Sequence, residues 1–145
     1  MLINHSTPMG TMAFKRNELD LFFSSSIVKV VKDSNSNALY FSRAPIPFPK
    51  DLLGATGPDW LNKIPQLKTN SLFFYHHVGV YAFRYFALKK FANELAISSL
   101  ETDESLEQLR AMDAGWKILV TDCQHPPFGI DTPEDLRKAQ NYEKN

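Results

Sequence analysis

The chain has no excess of charge of either sign: 16 lysines and arginines balance 16 aspartates and glutamates. A broad nucleic-acid or membrane-surface footprint needs a basic excess, so neither partner is expected. A small anionic substrate stays open, because it needs only a few placed cations. Cysteine is nearly absent, and Cys123, standing alone, cannot form an internal disulfide. A reducing, cytoplasmic setting is the natural reading. Long apolar runs are missing too. The most apolar stretch, Leu72–Phe83, is broken by His76 and His77 and is far shorter than the roughly 20 residues that span a bilayer. No basic region followed by an apolar core suggests a signal peptide.

What is present suits one ordinary domain over residues 1–145, with 43% hydrophobic residues and 11 phenylalanines to build a core. Met1–Gly10 has no convincing period, and Phe14–Phe23 reads as a short helix. Ile27–Lys32 is rich in β-branched residues and reads as a strand. The polar cluster Asp33–Asn37 then turns the chain into a second strand, Ala38–Ser42, giving a hairpin. Pro45, Pro47 and Pro49 stop regular pairing, and residues 50–70 read as a long surface loop. Leu72–Phe83 is strand-like. Leu88, Phe91 and Leu95 make an apolar stripe on a helix over Arg84–Ala96. A helix from about Glu101 to Asp113, capped by Ser99 or Asp103 and closed by Gly115, leads to a strand at Trp116–Thr121. Thr132-Pro133-Glu134-Asp135 has the form of a helix start, with the final helix running toward Tyr142. Strands alternating with helices predict an α/β domain, and the hairpin makes its β-sheet mixed, with flanking helices.

Several residues could carry chemistry. On a strand, His77, Gly79 and Tyr81 share one face. They form either a shallow floor for a polar ligand or two satisfied core groups flanking a glycine that accommodates a helix. Arg43, at a strand end, is either a capping arginine or a holder of a carboxylate. Glu107 and Gln108, taken by themselves, read as plain helix residues, with Leu106 and Leu109 facing the core. Asp131 precedes the Thr132 cap, so it either faces the helix dipole or, with Thr132 supplying the cap, keeps its carboxylate oxygens free. Cys123, His125, His76 and His77 fit no recognised zinc spacing.

Four strings in one order shift the balance between these readings: ALYFSRAPIP (Ala38–Pro47), HVGVYAFR (His77–Arg84), SLEQLR (Ser105–Arg110) and FGIDTPEDL (Phe128–Leu136). Together they resemble the C-terminal half of the CMP-Kdo synthetases, the 3-deoxy-manno-octulosonate cytidylyltransferases of lipopolysaccharide biosynthesis. The resemblance implies the sugar-binding half of a nucleotide-diphospho-sugar-transferase-like, Rossmann-type fold over residues 27–145. Residues 1–26 match poorly, with 9–26 corresponding more weakly to the preceding strand and connection. It implies that Arg43, His77, Tyr81, Glu107 and Gln108 contact the sugar acid and that Asp131 helps hold the catalytic Mg2+. His76 departs from the arginine that the family often has there. The implied reaction transfers CMP from CTP to Kdo and releases pyrophosphate.

The family's triphosphate-binding loop, R-x-x-S-x-R-L-P-G-K, and its G-D-E-P segment do not occur in this sequence. Backbone, arginine and lysine donors of that loop stabilise developing phosphate charge. The chain alone is therefore expected to be catalytically poor, acting with a separate N-terminal half chain. The alternative is a non-catalytic sugar-acid-binding or dimerisation remnant, and a misplaced start site is a third reading. The resemblance also implies a homodimer.

Overall fold

The computed structural model describes residues 6–50, 72–126, 129 and 133–142. Their elements run β1 (Met9–Arg16), α1 (Leu19–Phe23), β2 (Lys29–Lys32), β3 (Ala38–Ser42), β4 (Phe74–Phe83), α2 (Tyr85–Asn93), α3 (Ser99–Glu104), α4 (Gln108–Asp113), β5 (Ile118–Asp122) and α5 (Pro133–Tyr142). The strands form a five-stranded sheet in the order β3-β2-β4-β1-β5. Only β1 and β5 pair in parallel, while β1–β4, β2–β3 and β2–β4 are antiparallel. The α/β class, the mixed sheet and the hairpin are as the sequence predicts. The expected loop at residues 50–70 falls almost wholly outside the described residues. Among the described residues no helix is long and apolar enough to cross a membrane.

Three local expectations change. The stretch around Met9–Arg16 is a strand, with Met9, Thr11 and Ala13 fully buried, and only Leu19–Phe23 is helical. The helix expected over Glu101–Asp113 is two helices, parted at Ser105, whose φ of 52° is left-handed. That turn ends α3 and brings both Leu106 and Leu109 into the core with Met9, Val30, Phe41, Ile118 and Val120. The cap of α3 is Ser98, whose hydroxyl accepts from the Glu101 backbone N–H at 3.1 Å. Gly115 closes α4 as expected, with a φ of +77°.

The hairpin turn is held by Asp33, whose Oδ1 accepts the backbone N–H groups of Asn35 and Asn37 at 2.9 and 2.7 Å. The Val120 N–H donates to the Ser36 carbonyl at 2.7 Å. The sheet therefore curls until its hairpin end meets the opposite edge strand. This curl, with α4 packed on the core, sets the surroundings of β4, where the polar residues gather.

Candidate functional site

The register of β1 against β4 slips between Thr11 and Ala13: Thr11 faces Tyr81, whereas Ala13 faces His77. The extra length of β4 is taken up around Gly79, which has a φ of +76°. Only glycine adopts that conformation without strain. A Cβ at Gly79 would meet no atom within 4 Å. The glycine therefore answers a backbone need, and the expectation that it accommodates a neighbouring helix does not hold. The rings of His77 and Tyr81 stay on one side, 5.4 Å apart.

Thr11 sets the state of His77. Its hydroxyl lies 2.8 Å from His77 Nε2 and 2.8 Å from the Val80 carbonyl. A carbonyl only accepts, so the single hydroxyl proton goes to Val80, and Nε2–H of His77 donates to Thr11 Oγ1. Nδ1 is then the acceptor. Burial, reinforced by neighbouring His76, pulls the imidazole pKa down to about 4, so His77 is neutral at physiological pH.

Tyr81 Oη donates to Gln108 Oε1 at 2.8 Å. Burial, and then the adjacent Glu107 carboxylate, push the phenol far above its ordinary range, so it remains a donor. Gln108 is fully buried, and its Nε2 has no partner among the described residues. Turning the amide over would pair Nε2 with Tyr81 and strand Oε1 instead. Either way, one buried amide group lacks a partner, a rare condition in folded proteins that asks for a ligand or a water.

Arg43 sits apart from this cluster, directed at the α3–α4 junction. Its Nε donates to the Glu104 carbonyl at 2.8 Å, Nη1 to Ser25 at 3.0 Å and Nη2 to Ser105 at 3.4 Å. A guanidinium has five N–H groups, so two remain after these three bonds. Behind it, fully buried Lys29 donates to the carbonyls of Ser24, Ile27 and Arg43.

The structure thus brings His77, Tyr81 and Gln108 together with Glu107 beside them, and leaves Arg43 next to the loop that carries Glu107. Asp131 lies outside the described residues. His76 accepts from Arg16 Nε at 3.0 Å on its Nδ1 and is pulled down to about 4 by burial and by Arg16. Among the described residues no group of three or more His, Cys, Asp or Glu is placed to hold a metal. Sequence reasoning missed Thr11, Lys29 and Glu104. Glu104 lies one residue before SLEQLR, and its carboxylate accepts from Ser42 Oγ at 2.5 Å and the Arg43 N–H at 2.9 Å.

A family model described as Cytidylyltransferase matches residues 4–118. The chain is 42% identical over 140 residues to the 3-deoxy-manno-octulosonate cytidylyltransferase of Thermodesulfovibrio yellowstonii, covering 97% of this chain and 50% of that protein. It is 39% identical over 141 residues to the protein of that name from Neisseria meningitidis, covering 97% and 52%. A solved structure of CMP:2-keto-3-deoxy-manno-octonic acid synthetase complexed with CTP superposes with a TM-score of 0.77 at 31% identity, covering 97% of this chain and 51% of that one. The chain spans about half the length of the curated relatives it matches.

Proposed function

The chain belongs to the cytidylyltransferase family, and on that premise we propose that it is the sugar-acid-binding half of a 3-deoxy-manno-octulosonate cytidylyltransferase. The observation that carries this reading is the buried amide of Gln108, short of one partner beside the Tyr81 hydroxyl. A polyol supplies both acceptors and donors, and so completes such a pair. Neutral His77 adds an acceptor at Nδ1, and exposed Glu107 adds a carboxylate for sugar hydroxyls. The two remaining N–H groups of Arg43 suit the carboxylate of the sugar acid.

In the whole enzyme, the anomeric hydroxyl of Kdo would attack the α-phosphorus of CTP, and pyrophosphate would leave. Groups that grip the triphosphate would come from outside this sequence, which has no R-x-x-S-x-R-L-P-G-K string. Magnesium would take Asp131 as its ligand from this chain and would neutralise phosphate charge when bound. The partner is a chain carrying the other half, or a second copy of this one. The exposed side chains of Tyr85, Phe86 and Leu88 on α2 support such a contact. The lone Cys123 is in keeping with a cytoplasmic location.

Calorimetric titration of the purified chain with Kdo, and separately with CTP, each with magnesium, tests the reading. Kdo is expected to bind and CTP not to bind. Mixing in a chain that bears the triphosphate loop is expected to yield CMP-Kdo. Absence of Kdo binding would remove the sugar-acid reading and leave a remnant without its site.

A further inference from the structure

The break between α3 and α4 has a second consequence. In one continuous helix the Glu104 and Ser105 carbonyls would accept from the N–H groups of residues 108 and 109. The left-handed turn at Ser105 frees them, and Arg43 takes both. The Glu104 side chain returns the contact, with one carboxylate oxygen on Ser42 Oγ and the other on the Arg43 backbone N–H. Four hydrogen bonds thus join one residue pair, at the end of β3, to the junction that precedes Glu107 and Gln108. On the far side, Glu101 and Arg110 pair through two hydrogen bonds and hold α3 against α4. The two helices are braced to each other, and Glu104 braces them to the sheet.

We infer that Glu104 is a positioning residue for the sugar-acid site: by anchoring the α3–α4 junction to Ser42 and Arg43, it sets Glu107 and Gln108 against Tyr81. The inference rests on the sugar-acid reading above. Leu106 and Leu109 are buried, so apolar burial docks the junction, while the carboxylate fixes its placement to within hydrogen-bond tolerance. Small displacements of a binding group are enough to lose affinity. Glu104 also orients Arg43, because it accepts the arginine's backbone N–H and side-chain Nε–H.

The test is a double-mutant cycle read by Kdo titration and by the NMR signals of the Gln108 side-chain amide. Glu104→Ala is expected to weaken Kdo binding about tenfold and to shift the Gln108 amide signals. In a Gln108→Ala background the same change is expected to weaken binding less than it does in the wild type, the remainder coming through Glu107 and Arg43. Glu104→Gln keeps one acceptor and offers a donor to Ser42 Oγ, so it is expected to recover most of the affinity. Asp33→Ala, in the distant hairpin turn, is the control for general loosening and is expected to leave the Gln108 signals in place. Full additivity with Gln108→Ala, or unchanged Gln108 signals in folded Glu104→Ala protein, would overturn the inference. Should Glu104→Ala not fold, Ser42→Ala removes one anchor only and is expected to shift the same signals less, with no shift overturning the inference. Should the wild-type chain bind no Kdo, the sugar-acid reading fails, while the Gln108 signals still decide whether Glu104 sets that side chain.

Discussion

Lys29 and Gln108 are both fully buried polar side chains, one behind the β2–β3 hairpin and one at the start of α4. Around Lys29 the hydrogen bonding closes: three carbonyls, from Ser24, Ile27 and Arg43, receive its ammonium. Around Gln108 it stays open, with one amide group paired to Tyr81 and the other without a partner among the described residues. A closed network holds the fold, since removing a member strands its neighbours. An open one is tolerated when something outside the chain completes it. The comparison separates architecture from recognition within one curled sheet.

The largest effect is expected at the closed end. Lys29→Met leaves three carbonyls without their donor and is expected to lower stability by about 2–4 kcal/mol in urea denaturation. The pH dependence sharpens the point. Burial lowers the Lys29 pKa from 10.5 to about 8, with Glu104 opposing and Arg43 adding to the shift. Between those values the unfolded chain holds a proton that the folded chain does not, so this group's contribution rises with pH across that window. Below about 8 the burden of the buried cation is constant. Lys29→Met is expected to abolish the slope, and a variant that kept it would mean that another group titrates there.

At the open end, Gln108→Leu is expected to change stability by less than about 1 kcal/mol, because the cost of leaving the Tyr81 hydroxyl without its acceptor is offset by removing a buried amide nitrogen that has no partner among the described residues. Kdo affinity is expected to fall at least about tenfold in calorimetry. If instead stability fell as far as in Lys29→Met, the amide would be a structural group and the contrast would collapse.

His77 stands between the two, closed through Thr11 and open at Nδ1. Its pKa is pulled from 6.5 to about 4. As pH falls from 6.5 toward 4, the unfolded chain takes up a proton that the folded chain refuses, so stability falls by up to about 1.4 kcal/mol per pH unit. His76, also pulled from 6.5 to about 4 by burial and by Arg16, acts in the same direction. Comparing stability against pH for wild type and His77→Asn is expected to show a shallower acid slope in the variant. An unchanged slope would mean that His77 is protonated in the fold.

Legibility in the sequence followed the same division. The hairpin was readable because β-branched residues flank a run of turn formers, and these local preferences agree with the fold. The strand β1 was not, because of its inward-facing residues Met9, Thr11 and Ala13 only Met9 is large and apolar, which gives no apolar alternation. The break at Ser105 was hidden because no glycine or proline between Glu101 and Ala114 marks it. Tertiary contacts reward the left-handed turn: the bonds between Arg43 and Glu104 and the burial of Leu106 and Leu109. Within the site, His77, Tyr81, Glu107 and Gln108 sit in recognisable strings. Thr11 and Glu104 work by holding other residues, which leaves no local pattern to read. Asp131, the most chemically suggestive residue of the sequence, lies outside the described residues.

The smallest effect isolates the shape of β4 from its chemistry. Gly79 and Gly115 have nearly the same φ, +76° and +77°, and neither would bring a Cβ within 4 Å of another atom. Replacing either by alanine therefore imposes the same left-handed strain with no clash, expected to cost about 1 kcal/mol in each case. Gly115 closes α4 on the side away from Gln108, whereas Gly79 carries the bulge that keeps His77 and Tyr81 side by side. Equal losses in thermal or urea stability, with Kdo binding weakened only by Gly79→Ala, are expected. Such a split would assign the bulge to recognition, because the backbone strain is matched and only the neighbours differ. Equal binding in the two variants would mean that the cluster tolerates a relaxed strand, and that the Thr11–His77 bond, rather than the glycine, holds the rings in place.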